Sequence, residues 1–178
     1  FLSSDTKKSF KIDFNELVEG QEFLGLRKLN LNNNFRDPSL LREKLFLDFL
    51  AQWAPIHRCV HARVFINDEP WGLFLLTEQV DKTFCERMFG GNEDGNLYKG
   101  EMQGTLAYLG EDPEEYRLHY EKKTNEEEDD WTDLIGFTSV LDSTPDGDVP
   151  QVLPQIIEYD ALIEHLAANI LFANLDQY

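Results

Sequence analysis

Polar and apolar residues alternate over Lys8–Phe14 (KSFKIDF), which puts Phe10, Ile12 and Phe14 on one face and Lys11 and Asp13 on the other. That period of two predicts a half-buried strand. A turn around Gly20 leads to a second predicted strand over residues 23–31 (FLGLRKLNL), with Leu29 and Leu31 on one face and Leu26, Lys28 and Asn30 on the other. Asn32-Asn33-Asn34 breaks it. Asp37-Pro38 reads as an N-cap followed by proline in the first helical position, opening a helix through SLLREKLFLDFLAQW that stops before Pro55. Leu41, Leu45 and Phe49 recur at helical spacing, and Leu40, Leu47 and Leu50 widen the apolar stripe. Two strands follow, CVHARVFIN and WGLFLLTEQV, joined into a hairpin by Asn67-Asp68-Glu69-Pro70. Gly72–Leu76 is apolar on both faces, the pattern of a central strand.

The rear half is patterned differently. A short helix is expected over Asp81–Phe89, ending at Gly90-Gly91, and a short strand over 96–100 (NLYKG). Residues 111–130 are densely charged and predict loop or short helix, and the prolines, aspartates and glycine of Asp142–Pro154 predict a surface loop. Tyr159–Ala173 is a strong helix: Leu162, Ile163, Leu166, Ala167, Ile170 and Leu171 keep the 3.6 period, and the helix leads into Asn174-Leu175-Asp176. Strands, a helix and a hairpin followed by mainly helix give an α+β class, with a sheet lobe in front and a helical lobe behind.

Charge narrows the function. The 178 residues carry 34 acids against 16 bases, a net −18, which disfavours nonspecific nucleic-acid or anionic-membrane binding. The bases are concentrated at the front, with eight in residues 1–50, whereas residues 111–178 hold 18 acids and three bases. A polyanionic ligand would therefore be held from the front. No apolar run approaches the ~18 residues needed to span a bilayer. Two cysteines, Cys59 and Cys85, are too few for a disulfide framework and leave one bridge open.

The candidate chemistry is sparse. His57 and His61 stand four apart, but Pro55 and the strand pattern argue against the helix a zinc pair would need. No nucleophile motif surrounds any serine or cysteine. A strand lysine, Lys28, and a glutamate one turn into the next helix, Glu43, have the residue types with which a kinase fixes a cation on phosphate oxygens; an exposed helix face would read the same. Glu78-Gln79-Val80, where an apolar strand turns polar, stands where a hinge would offer backbone groups to an adenine. Asp176 follows a helix C-terminus, where negative charge is electrostatically unfavourable, and so is a candidate base.

KKSFKIDF, LRKLNLNNNFRDPSLLREKL, RVFINDEPWGLFLLTEQVDK, FGGNEDGNLYKG, YEKKTNE and ANLDQY, in this order, resemble the spore coat protein H (CotH) kinase family over nearly the whole chain. The resemblance implies an atypical, protein-kinase-like two-lobed fold, with residues 1–79 as the small lobe and 80–178 as the start of the helical lobe, ending at the catalytic loop. It implies transfer of the γ-phosphoryl of ATP, with Mg²⁺, to Ser or Thr of a secreted or coat protein, and a secreted, cell-surface or spore-coat location for the chain itself. Carried over by position, Lys28 or Lys11 is the phosphate lysine, with Leu26 on the strand face of Lys28 as a neighbour for the adenine. Glu43 is the lysine's partner, Glu78, Gln79 and Val80 are the hinge, and Asp176 is the base; no metal ligand is assigned. Asn30, Asn32, Asp37 and Arg42 also match. There is no glycine-rich GxGxxG loop, and the family's Arg-Gly-Asn segment and metal-binding aspartate would fall outside this sequence, which is thus expected to be a central fragment. A non-catalytic coat or surface binding protein on the same fold, or a structural coat component docking through its acidic surface, are the alternatives.

Overall fold

The alternating front segments build one four-stranded antiparallel sheet. Its strands are β1 (Phe10–Asp13), β2 (Lys28–Asn32), β3 (Cys59–Ile66) and β4 (Glu69–Glu78), in the order β1-β2-β4-β3. The structure, a computed structural model, describes residues 7–90, 94–101 and 104–174. β4 lies between β2 and β3, as its two-sided apolar run predicts, and Phe74 and Leu75 are fully buried on its opposite faces. Leu29 and Leu31 share the buried face of β2. The turn between β3 and β4 places Asn67 and Asp68 at φ +51° and +66°, the left-handed pair that matches strand twist in a two-residue hairpin. Leu26 is not on the second strand: it closes a tight turn with Phe23, and β2 begins only at Lys28.

The helix after the asparagine run starts later than its sequence signal. Helix α1 spans Arg42–Leu50, because Leu40 adopts φ +59° and interrupts the path from Pro38. Asp37 still acts as a cap from a distance: its carboxylate accepts from the Ser39 amide (3.0 Å) and from the first helical amide, Arg42 (2.8 Å). The buried stripe is also rotated from expectation. Leu47 and Leu50 enter the core, while Leu41 and Leu45 are about half exposed, because the helix must face both the sheet and the C-terminal helix.

Behind the sheet come α2 (Lys82–Phe89), β5 (Tyr98–Gly100), α3 (Pro113–Arg117), β6 (Tyr120–Lys122), α4 (Thr132–Ser143), α5 (Val149–Ile156) and α6 (Tyr159–Leu171). Asp81 caps α2 by accepting from the Thr83 and Phe84 amides, and Gly90 closes it. The charged segment 111–130 yields both α3 and β6, which pairs antiparallel with β5. Tyr116, Tyr120, Trp131, Leu134 and Ile135 form a separate aromatic core beneath that hairpin. The loop expected over Asp142–Pro154 is replaced by the end of α4 and by α5. Pro150 sits in the first turn of α5, where its missing N–H is no loss, and Pro154 falls near the end. Phe172 packs its ring against Phe46 (6.0 Å) and Phe49 (5.5 Å), fixing the end of α6 to α1.

Candidate functional site

Side chains at alternate positions put Lys11 and Asp13 of β1, Lys28, Asn30 and Asn32 of β2, and Leu75 and Thr77 of β4 on one face, in register: Lys11 opposite Asn30, Asp13 opposite Lys28, Asn30 opposite Thr77. This is the face that α1 covers, since His61, opposite Leu75, bonds the Leu40 carbonyl (2.7 Å). A cleft of about 780 Å³ opens at the end of this face, between the start of α1 and the end of α6. Asn32, Arg36, Arg42, Glu43, His57 and Asn174 contribute its polar groups, and Phe46 and Phe172 part of its apolar wall.

The structure does not bring Lys28 and Glu43 together. Lys28 binds Asp13 (Nζ–Oδ2 3.2 Å), whereas Glu43 accepts from Asn32 Nδ2 (2.6 Å). Lys28 and Asn32 are four residues apart on one strand, about 13 Å, and Glu43 is anchored at the far end. Lys11 is better placed, one strand over and diagonal to Asn32, and it makes no ion pair within 4 Å among the described residues. Burial pushes the Glu43 carboxyl above the usual range and the charge of Asp37 adds to this, against the Asn32 hydrogen bond. His57 is held below its usual value by burial, with the Arg87 charge in the same direction, so the cleft wall presents a neutral imidazole at pH 7.

At the other end of β4, Glu78 is 4% exposed and its side chain is fully engaged. Arg58 donates from Nη2 (3.0 Å), Nε (3.3 Å) and its backbone amide (3.1 Å), and Arg87 from Nε (3.0 Å) and Nη2 (2.6 Å). Burial opposes the charge, but the hydrogen bonds from Arg87 and Arg58 prevail and hold the carboxyl below its usual range. Gln79 accepts from Asn30 Nδ2 (3.1 Å) and donates to the Val80 carbonyl (3.2 Å). The segment 78–80 is thereby tied to β2, to the start of β3 and to α2.

Of the residues singled out in the sequence, Glu43 lines the cleft; Lys11, Lys28 and Gln79 belong to the polar side of the sheet, Glu78 is buried on the other side in register with Leu29, and Asp176 lies outside the described residues. Arg36 and Arg58 carry no sequence signal beyond composition, His57 stands out only for its spacing from His61, and Asn34 only as part of the asparagine run that ends the strand. Cys59 and Cys85 are free thiols, and no three His, Cys, Asp or Glu side chains converge among the described residues.

The family model described as CotH kinase protein matches residues 2–178. Inner spore coat protein H of Bacillus subtilis (strain 168) is 28% identical over 97% of this chain and 48% of its own length, so the chain spans about half of that relative. A match along almost every residue, including the strands, α1 and α6 that frame the cleft, places this chain in the CotH kinase protein family.

Proposed function

We propose that this chain is the sheet lobe and the first part of the helical lobe of an atypical protein kinase, which transfers the γ-phosphoryl of ATP to Ser or Thr of a spore-coat or other secreted protein. The observation that carries the reading is the cleft. Its volume suits a nucleotide, and in a chain of net −18 its wall includes Arg36 and Arg42, neither in an ion pair within 4 Å among the described residues. Two arginines free of such ion pairs, in a wall that also holds Asp37 and Glu43, are groups that could take up the charge of a triphosphate.

Segment 78–80 would present backbone groups to the adenine, held in place by the Glu78–Arg58–Arg87 cluster. Lys11, or Lys28 once released from Asp13, would reach the phosphates from the sheet, with Glu43 beside them. Asp176 would accept the proton of the attacking Ser or Thr hydroxyl as the O–P bond forms and ADP leaves. Mg²⁺, bound with the nucleotide, supplies neutralisation of phosphate charge; no described cluster is assigned to hold it. The coat location follows the name of the Bacillus relative. The unformed Lys28–Glu43 pair favours a second reading, a non-catalytic coat binding protein on the same fold.

The test is transfer of labelled γ-phosphate from Mg·ATP by the longer protein, wild type beside Asp176→Ala, to itself and to a Ser-rich peptide. Label lost in the variant supports the kinase and the need for Asp176. Label in both moves the base elsewhere. Label in neither, with fold intact, favours the binding protein.

A further inference from the structure

Behind the cleft, on the other side of the loop that leads into α1, is a second and smaller cavity of about 240 Å³. Asn33, Asn34, Arg36 and Asp37 wall both spaces, while Lys7, Trp71, Gly72 and Leu73 belong to the rear one alone. Two groups there are anomalous. Asn34 is 6% exposed, and neither its Oδ1 nor its Nδ2 has a hydrogen-bond partner. An amide buried with both ends idle is costly, and such a group calls for a ligand. Lys7 is 7% exposed, with its Nζ on the Leu73 carbonyl and 4.2 Å from the centre of the Phe74 ring, and with no carboxylate within 4 Å among the described residues. Arg36, on the cavity rim, is likewise without an ion pair among them. The one carboxylate in the wall, Asp37, is turned onto the Ser39 and Arg42 amides and the Ser39 hydroxyl.

We infer that this rear cavity is a binding site for a phosphate group, formed by Lys7, Arg36 and Asn34 and separated from the cleft by the Asn33–Asp37 loop. Lys7 and Arg36 supply charge, and Asn34 Nδ2 donates to a phosphate oxygen. Asn34 Oδ1 then needs a donor, and the O–H of a hydrogen phosphate is one that sulfate lacks at neutral pH. A group held there would brace the loop whose other side is the cleft wall and whose end delivers Arg42 and Glu43. The inference does not depend on the kinase reading, because it concerns binding without nucleotide.

The experiment titrates inorganic phosphate into the nucleotide-free protein at constant ionic strength, by calorimetry and by ³¹P line width. Saturable binding is expected, with sulfate at least about tenfold weaker and with Lys7→Met, Arg36→Gln and Asn34→Gly each weakening phosphate by about tenfold or more. Arg36 is exposed, and glycine tolerates the φ of +55° at Asn34, so two of the three variants keep the fold even if Lys7→Met does not. Lys82→Gln, on the exposed side of α2, is the control and should bind as wild type does. Absence of phosphate binding, or binding unchanged in Arg36→Gln and Asn34→Gly, overturns the site; sulfate binding as tightly as phosphate overturns the role given to Asn34. A non-hydrolysable ATP analogue then separates two sources of the same group: displacement of phosphate identifies the nucleotide's own terminal phosphate, and joint binding identifies a free phosphate or phosphomonoester.

Discussion

Replacing Glu78 by Gln keeps the shape of the side chain and removes the charge that two arginines converge upon. Taking one partner from a buried ion pair destabilises by about 3–5 kcal/mol. Here the stranded cations are not equally trapped: the Arg58 side chain is 58% exposed and that of Arg87 30%, so both can recover water once released. That places Glu78→Gln at or just below the bottom of that range, about 2–3 kcal/mol, or about 5–10 °C in Tm for a chain of this size. The pH dependence carries the sign. The native carboxyl lies below its unfolded value, so its contribution is complete at pH 7 and is lost as pH falls below about 4.5 and through the folded pKa. Denaturant and thermal unfolding of both proteins from pH 7 downwards should show the gap narrow on acidification. A gap under about 1 kcal/mol at pH 7, or one that stays constant to the lowest pH at which both remain folded, would refute this account of segment 78–80.

Glu43→Gln should behave in the opposite way. Its carboxyl is raised chiefly by burial, so the ionised form weakens the fold as pH rises through the elevated pKa; the variant should be as stable as wild type or up to about 1 kcal/mol more stable at pH 7 by denaturant titration, and on the proposed kinase reading it should lower phosphoryl transfer. Asp37→Ala removes the acceptor of the Ser39 and Arg42 amides and should cost about 1–2 kcal/mol of unfolding free energy. Gly104→Ala should lower Tm, since a Cβ there would stand 2.9 Å from both the Gly100 Cα and the His119 carbonyl oxygen, backbone atoms that cannot swing aside.

What the sequence made legible was whatever a local period encodes. The hairpin with its Asn-Asp turn and the span of α6 depend on residues a few positions apart and formed where expected, whereas β2 begins five residues later than its pattern predicts and the apolar stripe of α6 is turned outward, with Ile163, Leu166, Ile170 and Leu171 exposed and Ala168 and Asn169 buried instead. The start of α1 was misplaced because Asp37-Pro38 is a good opening signal, yet Leu40 turns left-handed before the helix begins. α5 was hidden by its prolines, which mark a loop in the interior of a segment but suit a first turn. The site was less legible because its partners are settled by register and reach. Lys28 and Glu43 have the right types, but whether they meet depends on which end of β2 the helix docks against. The arginines on Glu78 come from 20 residues before and nine after it, and Lys7 and Asn34 acquire meaning only through the cavity that tertiary packing encloses.

The strand order also bears on folding, because its pairings differ in sequence separation. β3 and β4 can zip through a two-residue turn on the microsecond scale of hairpin closure. β2 must then pair with the far edge of β4, joining Leu29 to Glu78 across 49 positions that include all of α1. That long closure carries the larger entropic penalty, whereas β1 and β2, joined by a 14-residue connection, can pair locally before they reach β4. The seam between β2 and β4, which sets Asn30 against Thr77 and carries Lys11 and Lys28 with it, is thus the join of highest sequence separation in the sheet and is expected to form after the hairpin.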